Sequence, residues 1–491
     1  MKIDILIYID EGVSEDDLFF ADTYLPDSFD KRCRSIENAG TIFFSVPVQY
    51  SGRLSGSSSC LVRSGPDDVD FWKNLFARTG SSHLCKIRAD APFMDLSIIN
   101  EMMDLHLAYL AEFTYSENLP AGLSCEIVSK ELVDAIPVFD QKTLPLSQVI
   151  KSNINNFDIE IYYRDPDIRD KRLSFLSSRK RDARIMENIY RAGNAVPPYE
   201  KLKEIIERNP EVLYVGPSYL EIELTGECDC DCLFCYRKTL TKTNGVMDVS
   251  LYERILGQMR SFSLPYTVCF GGSGEPLMHP HFYEILVMTQ NEPLVESIII
   301  ETNGIYCDTN YCTAIAEKAT KARTIVNMNG MNRETYEQLH GIDRFELVQR
   351  NIDALRNAAE DRLHIQIMKI NETEPHLDAF YDYWEQKKVP IILQKQNTFL
   401  GRIQDRRYSD LSPLDRIPCW HLQRDLYITA DGTITFCKQD VDAVYACGNI
   451  KDASLVEIWK RRKQAFIQEY VKDYPAQPDC KSCDEWYTFN F

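Results

Sequence analysis

Three closely spaced cysteines near the middle of the chain are the strongest chemical signal in the sequence. Cys228, Cys232 and Cys235 form a C-x3-C-x2-C run, and Cys230 falls outside this spacing and stays unassigned. Thiolates at such spacing indicate a metal site. A closed zinc site needs four nitrogen or sulfur ligands, whereas three cysteines on a cubane cluster leave one iron without a protein ligand. The run therefore favours an iron–sulfur cluster whose open iron can bind a cofactor.

The positions of this run and of a later glycine-rich turn favour the active face of an α/β barrel. The cysteines follow an apolar, strand-like stretch at residues 219–224, and functional loops of such barrels follow the strands. One strand later, residues 266–270 run into the glycine-rich turn. Its glycines let the backbone approach a ligand, and its carboxylate can accept hydrogen bonds from an ammonium group. The turn consists of Gly271, Gly272, Ser273, Gly274 and Glu275.

Together these motifs resemble the radical SAM superfamily. The resemblance implies that the first cluster is a [4Fe-4S] cluster that binds S-adenosyl-L-methionine (SAM), and that the glycine-rich turn contacts the methionine amino group. It also implies that Thr302 and Asn303 line the ribose side. A zinc knuckle, a fortuitous cysteine cluster and an ordinary Asn-Gly turn are the alternatives. The implied cofactor-binding residues are Phe234, Gly271, Gly272, Gly274, Glu275, Thr302 and Asn303.

The central region, residues 215–400, is predicted to form a partial (β/α)6 TIM-like barrel, because strand and helix patterns alternate along it. A capping box at residues 250–253 predicts the start of the first helix after the cysteine loop. Polar residues at strand ends, Lys369, Asn371, Lys395 and Asn397, are candidates for the active face or for solvated loops. The predicted strands lie at residues 219–224, 266–270, 297–301, 324–328, 364–370 and 390–394.

A second set of four cysteines lies in the carboxyl-terminal region, residues 415–491. A hairpin signal at Asp431-Gly432 brings Cys419 and Cys437 towards one another. Cys480 and Cys483 add a C-x2-C pair, so four thiolates are available for one closed cluster. Structural zinc on the same cysteines is the alternative. A further cysteine, Cys447, is predicted to pack and not to bind metal.

This region resembles SPASM domains, and the shortened twitch type in particular, with a Gly-Asn-Ile connector at residues 448–450. Within the radical SAM proteins the chain resembles spirochaete-type SPASM proteins. That family's full seven-cysteine pattern continues past the C-x2-C pair, so the resemblance implies one auxiliary [4Fe-4S] cluster, not two. The subfamily usually has Ser-x-Asp-Gly after the fourth strand, whereas residues 327–330 read Asn-Met-Asn-Gly, which puts a contact that needs that carboxylate in doubt.

The amino-terminal region, residues 1–198, is predicted to form an α/β sheet domain. Residues 88–95, 119–129 and 172–175 resemble acylneuraminate-type cytidylyltransferases. Where that family has a basic triphosphate loop, residues 10–17 are acidic, and Ser124 and Leu176 replace expected acidic residues. Asp90 alone cannot hold Mg²⁺ for nucleotidyl transfer. We therefore expect a nucleotidyltransferase-like domain that has kept the fold and lost the reaction; a retained nucleotide-sugar pocket is the alternative.

The composition narrows the choice of partners and compartment. The net charge of -19, without a run rich in Lys or Arg, disfavours nucleic acid and anionic membrane surfaces. Residues 1–10 read as a strand and not as a signal peptide, and no apolar run approaches the ~18 residues of a membrane span. We therefore expect a cytoplasmic protein whose sixteen cysteines are reduced.

The expected function is that of a radical SAM oxidoreductase. The resemblance implies reductive cleavage of SAM to a 5'-deoxyadenosyl radical, dehydrogenation or cross-linking of a substrate, and an auxiliary cluster that accepts an electron. A flavodoxin- or ferredoxin-type donor is implied as well. The substrate hypotheses are a sugar or nucleotide-linked sugar and, alternatively, a peptide or protein. A non-catalytic iron–sulfur electron-transfer protein is the third alternative, but it does not explain the glycine-rich turn. The sequence identifies no catalytic proton acceptor.

Overall fold

The computed structural model describes residues 2–52, 59–63, 65–136, 144–241, 245–409, 412–474 and 479–488. The chain divides into two compact units, Met1–Val215 and Gly216–Phe491. The second unit contains both the central strands and the cysteine-rich carboxyl-terminal region. Among the helices of the described residues, none is long and apolar enough to cross a membrane.

The first unit is built on a seven-stranded mixed sheet with the order β5-β4-β1-β6-β8-β7-β9. Only β8 runs antiparallel to its neighbours, β6 and β7. A separate antiparallel pair is formed by β2 and β3. The strands are β1 (Ile3–Tyr8), β2 (Phe19–Phe20), β3 (Thr23–Tyr24), β4 (Ala39–Pro47), β5 (Ser59–Arg63), β6 (His83–Arg88), β7 (Phe113–Ser116), β8 (Glu126–Ser129) and β9 (Ile159–Tyr162). The helices are α1 (Leu25–Cys33), α2 (Val69–Thr79), α3 (Leu96–Ala108), α4 (Lys130–Ala135), α5 (Leu146–Ser152), α6 (Lys180–Gly193) and α7 (Tyr199–Arg208).

The central position of β1 in the sheet explains why this strand is so apolar. It lies between two parallel neighbours, β4 and β6. Strands covered on both faces read as continuous apolar runs and not as alternating ones. Ile3, Ile5, Leu6 and Ile7 are accordingly all fully buried. The α/β sheet predicted for this region is confirmed.

The second unit is built on a nine-stranded sheet with the order β15-β14-β13-β12-β11-β10-β16-β17-β18. Strands β10 to β15 are parallel and adjacent in chain order, and β16 is parallel to β10 on its other side. The strands are β10 (Tyr219–Ile222), β11 (Tyr266–Phe270), β12 (Val295–Thr302), β13 (Ala322–Asn327), β14 (Leu363–Lys369), β15 (Ile391–Lys395), β16 (Asp425–Ile428), β17 (Thr433–Ile434) and β18 (Gly448–Asn449). The helices are α8 (Val249–Met259), α9 (Phe282–Gln290), α10 (Thr309–Thr313), α11 (Arg333–His340), α12 (Phe345–Ala359), α13 (Leu377–Gln386), α14 (Trp420–Arg424) and α15 (Leu455–Tyr470).

All six strands predicted for the central region are confirmed as β10 to β15, with small shifts at their ends. Helices separate most successive strands, as parallel neighbours require a crossover connection. This arrangement agrees with the predicted partial (β/α)6 barrel. It also places the carboxyl ends of the six strands at one edge of the sheet, where barrel active sites lie.

The start of α8 differs from its prediction, because Asp248 and not Ser250 caps the helix. The Asp248 carboxylate accepts hydrogen bonds from the Ser250 backbone N–H at 2.9 Å and from its hydroxyl at 2.8 Å. Aspartate is as good a cap as serine, and Asp248 lies two residues before Ser250. A complete capping box is present instead at α15, where Ser454 and Glu457 bond reciprocally.

The predicted hairpin in the carboxyl-terminal region is confirmed as the antiparallel pair β16 and β17. Gly432 in its turn has φ +86°, and a Cβ there would lie 2.8 Å from Ile450. Only glycine meets both demands. Because β16 pairs with β10, with Asp425 opposite Tyr219, the hairpin attaches the second cysteine region to the strand that precedes the first.

Candidate active site

A cavity of about 630 Å³ in the second unit is lined by residues at and beyond the carboxyl ends of β10 to β15. It is also lined by residues from the carboxyl-terminal region. All residues predicted to bind the cofactor or a metal line this one space. They are Cys228, Cys232, Phe234, Cys235, Gly271, Gly272, Gly274, Glu275, Thr302, Asn303, Cys419, Cys437, Cys480 and Cys483.

The first cysteine loop is fixed by backbone hydrogen bonds to the end of α11. The N–H of Asp231 donates to His340 O, and that of Leu233 donates to Leu339 O, both at 2.9 Å. Gly341 has φ +70°, and a Cβ there would lie 2.7 Å from the Asp231 carbonyl oxygen. A side chain at Gly341 would therefore push the cysteine loop away.

The glycine-rich turn holds the same loop from the other side. The N–H of Glu275 donates to Glu227 O at 2.7 Å. A Cβ on Gly274 would lie 2.0 Å from Thr225 O, so no other residue fits this close approach. The loop thus lies between two fixed segments, which holds its thiols in place before any metal binds.

Cys230 lies among the other thiols of the loop, although its spacing gave it no role. Its Sγ is within 4.8 Å of potential ligand atoms in two groups, one with Cys232 and His340 and one with Cys228 and Asp229. Cys235 lines the same cavity but belongs to neither group. Hydrogen bonding to Cys230 and burial raise the pKa of Cys228. Buried thiols with raised pKa values become thiolates readily only when a metal compensates the charge.

Glu275 is buried at the centre of the cavity wall. Its carboxylate accepts hydrogen bonds from the Thr302 hydroxyl and the Asn303 N–H, both at 2.8 Å, and from the Leu277 N–H at 3.2 Å. Burial raises the pKa of Glu275 to about 7. The structure therefore brings together three of the residues predicted to bind the cofactor, and the carboxylate is ready to receive a cation.

His340 is a cavity residue to which the sequence assigned no role. Its Nδ1 lies 3.6 Å from Cys232 Sγ, and its ring meets Phe234 edge-on with centroids 6.1 Å apart. Tyr336 stacks on the His340 ring, with centroids 4.3 Å apart. Burial lowers the pKa of His340 to about 4, so the ring is neutral near pH 7. It forms, with Phe234, an uncharged wall beside the thiols.

The Asn-Met-Asn-Gly segment at the end of β13 supports this wall without a carboxylate. The Asn329 N–H donates to His340 Nε2 at 3.3 Å, and its side-chain oxygen accepts from the Met368 N–H at 2.8 Å. Asn327 lines the cavity and accepts from Gln366 at 2.6 Å. Asn329 therefore links α11 to β14.

The second cysteine set is held by an ion pair between Arg416 and Glu469. The guanidinium lies 2.7 Å from the Glu469 carboxylate on α15, whose side chain is fully buried. It also donates to Cys483 O at 3.2 Å. Burial raises the pKa of Cys437 to about 11 and that of Cys483 to about 12. These thiols need a metal to ionise near neutral pH, and four of them suit a closed cluster or zinc.

The strand-end polar residues divide into two groups. Lys395 and Asn397 line the cavity, whereas Lys369 and Asn371 are not among its lining residues. The Lys395 ammonium donates to the Glu485 carboxylate at 2.9 Å. Glu485 lies two residues after the C-x2-C pair. Cys447, whose packing role stays a prediction, is also not among the lining residues.

Comparison with known proteins assigns both cysteine regions. Residues 222–383 match the radical SAM superfamily, and residues 419–484 match the SPASM iron–sulfur cluster-binding domain. The chain carries a radical SAM domain followed by a SPASM domain. Its cofactors are SAM, a SAM-binding [4Fe-4S] cluster and auxiliary iron–sulfur clusters in the SPASM domain. The three thiols of the first set, which leave one iron without a protein ligand, and the four thiols of the second set fit these groups.

Individual proteins resemble the chain at low identity. An uncharacterized protein of Treponema pallidum (strain Nichols) is 29% identical over 360 residues, which cover 70% of this chain and 97% of that protein. The crystal structure of BtrN with AdoMet and 2-DOIA is 20% identical and covers 52% of this chain and 87% of that one, with a TM-score of 0.38. A cytidylyltransferase from Leptospira borgpetersenii is 18% identical and covers 43% of this chain and 96% of that one, with a TM-score of 0.38.

Proposed function

We propose that this radical SAM protein oxidises a substrate held in the 630 Å³ cavity, with the SPASM domain as electron acceptor. The observation that carries the proposal is that both cysteine sets line the same cavity. A substrate there lies next to both. Dehydrogenation or cross-linking then follows, because both remove an electron from the substrate radical, whereas an isomerisation needs no acceptor.

The first set provides the open cluster. Cys228, Cys232 and Cys235 hold a [4Fe-4S] cluster with one free iron. When bound, SAM supplies a 5'-deoxyadenosyl radical that removes a hydrogen atom from the substrate. Glu275 binds the methionine ammonium, and Asn303 lies beside it. Phe234, His340 and the glycine-rich turn shape the site and exclude water.

The second set provides a closed site. Cys419, Cys437, Cys480 and Cys483 occupy all ligand positions of an auxiliary [4Fe-4S] cluster, so this site has no iron free to bind substrate. Electron acceptance is the function left to it. Arg416 fixes the loop of the C-x2-C pair and so keeps these thiols in place. A flavodoxin- or ferredoxin-type protein is the proposed donor to the first cluster.

The first unit favours a sugar as the substrate, through its sequence resemblance to cytidylyltransferases, and a nucleotide-linked sugar if the unit still binds nucleotides. We propose that it has lost nucleotidyl transfer. The Asp90 carboxylate is fully buried and accepts hydrogen bonds from Arg88 at 2.8 and 3.0 Å and from Ser178 at 2.6 Å. Arg88 also pairs with Asp10 at 2.7 Å. These bonds leave Asp90 poorly placed to bind Mg²⁺.

Anaerobic reconstitution with iron and sulfide tests the function. The parent should hold two clusters and release 5'-deoxyadenosine from SAM after reduction. Alanine at Cys228, Cys232 and Cys235 should remove one cluster and all SAM cleavage. Alanine at the four SPASM cysteines should remove the other cluster and leave SAM cleavage in place, while Cys447→Ala should retain both. The electron-acceptor role is wrong if the four SPASM cysteines hold zinc or nothing.

A further inference from the structure

Among the described residues, three Lys or Arg side chains line the cavity, and one of them lies beside the SAM-binding turn. Among the lining residues, Lys395 pairs with Glu485, and Arg416 pairs with Glu469. The remaining cation is on Lys438, next to two carboxylates from neighbouring parts of the sheet.

Those two carboxylates are Glu221 on β10 and Glu301 on β12, and both face Gly271. A Cβ on Gly271 would lie 3.4 Å from Glu301 Oε2 and 3.6 Å from Glu221 Oε1. Lys438 Nζ lies 2.8 Å from Glu221 Oε1. Among the described residues, the Glu301 carboxylate has no hydrogen-bond or ion-pair partner of its own. One ammonium therefore faces two carboxylates, which leaves one negative charge uncompensated.

An uncompensated carboxylate that is partly removed from water is costly unless a cation or a hydrogen-bond donor meets it. Burial raises the pKa of Glu301, which reflects that cost. The thiolate-ligated clusters are themselves anionic, and the sulfonium cation of SAM has no N–H to donate to a carboxylate. Glu275 is already assigned to the ammonium of SAM. The position thus calls for a positive group that arrives with the substrate.

We propose that Glu301 binds a protonated amine of the substrate and holds it beside the glycine-rich turn. The proposal deepens the proposed function, since it rests on the cavity being the substrate site. An amino sugar and a lysine side chain of a peptide both supply such a group. A neutral sugar does not form this ion pair.

Two matched pairs of probes test the amine site by calorimetry on the full chain, loaded anaerobically with clusters and SAM. Glucosamine is compared with glucose, and Nα-acetyl-lysine amide with Nα-acetyl-norleucine amide. In the parent, at least one ammonium probe should bind about tenfold or more tightly than its neutral match, as expected for a charge-assisted hydrogen bond. The pair that shows this preference identifies the source of the amine.

Glu301→Gln should abolish the preference while keeping cluster content and SAM affinity. Glu296→Gln is the matched control, because Glu296 is an exposed residue on the same strand, β12. Lys438→Met combined with Glu221→Gln should strengthen the preference, since it removes the competing cation without leaving Glu221 as a second free carboxylate. This second variant tests the site even if Glu301→Gln fails to fold.

The proposal is overturned if neither ammonium probe exceeds its neutral match, or if the preference survives in Glu301→Gln. It is also overturned if Glu301→Gln weakens SAM as much as the probes, because the carboxylate then serves SAM. These binding measurements do not require that the protein turns over a substrate. A parent that prefers the ammonium probe but does not cleave SAM contradicts the proposed function and leaves the amine site standing.

Discussion

Lys438, the residue after Cys437, forms an ion pair with Glu221 of β10 at 2.8 Å. The Glu221 side chain is only 4% exposed, and that of Lys438 is 31% exposed. β10 leads into the first cysteine loop, and Lys438 follows the hairpin of the second cysteine region. The pair therefore connects the two metal-binding regions across the cavity.

Removing the cation of this pair should destabilise the second unit. Lys438→Met leaves Glu221 buried without its partner, which costs about 2–3 kcal/mol, below the full range for a wholly buried pair because Lys438 is partly exposed. Adding Glu221→Gln to Lys438→Met should recover most of the loss. Thermal unfolding of the cluster-loaded variants measures both effects.

Lys460→Met on the exposed face of α15 is the control for this comparison and should change stability by less than about 0.5 kcal/mol. A double variant no more stable than Lys438→Met would show that Lys438 contributes through packing and not through its charge.

The start of α8 provides a second prediction. Asp248→Ala should cost about 1 kcal/mol, because it removes the cap that accepts the Ser250 N–H. Ser250→Ala should cost less than about 0.5 kcal/mol, since its hydroxyl only adds to the same carboxylate. Urea unfolding of the two variants gives the order. The reverse order would restore Ser250 as the cap.

In the second unit, the positions of the strands were predictable from the sequence, whereas the first residue of α8 was not. The strands of the central sheet were predictable because their apolar runs lie between glycine or polar loops, as at β11. The helix start was not, because Asp248 and Ser250 are both good caps and only the backbone geometry distinguishes them.

In the candidate site, too, some residues were predictable from the sequence and others were not. Cysteine and glycine spacing identified the residues that face the cavity, since metal ligands and close backbone approach restrict residue type strongly. Glu301, Lys438 and His340 had no such spacing. Lys438 and Glu221 are more than two hundred residues apart, so only the fold shows that they meet.

SAM affinity should depend on pH through Glu275. Burial raises the pKa of this carboxyl from its usual 4.5 to about 7, so without SAM it is protonated below that pH. SAM needs the carboxylate for its ammonium, and affinity should therefore rise as the pH increases through about 7. Below that value it should fall by up to about tenfold per pH unit. Anaerobic calorimetry measures this dependence.

Glu275→Gln should weaken SAM binding and make it independent of pH over the same range, while Glu296→Gln should retain the parent's dependence. The stability of the SAM-free protein should change with pH in the opposite direction to its SAM affinity. The SAM-free parent should lose stability relative to Glu275→Gln as the pH rises from 4.5 to about 7, because the folded state keeps a proton that the unfolded state releases. A flat SAM affinity in the parent would remove Glu275 from the ammonium site.

Nucleotides should leave the stability of the full chain unchanged. Arg88 and Ser178 occupy the Asp90 carboxylate, and Arg88 is held in turn by Asp10, so neither Mg²⁺ nor a triphosphate gains a free charged partner there. A ligand at a hundred times its Kd would add about 2.7 kcal/mol and raise the Tm by several degrees. Calorimetry with CTP and Mg²⁺, and separately with CMP, should show no such rise, whereas SAM should raise the Tm of the cluster-loaded protein. A rise with CMP alone would mean that the first unit has kept a nucleotide pocket without the metal site; a rise that needs Mg²⁺ would mean that Asp90 exchanges Arg88 for the metal.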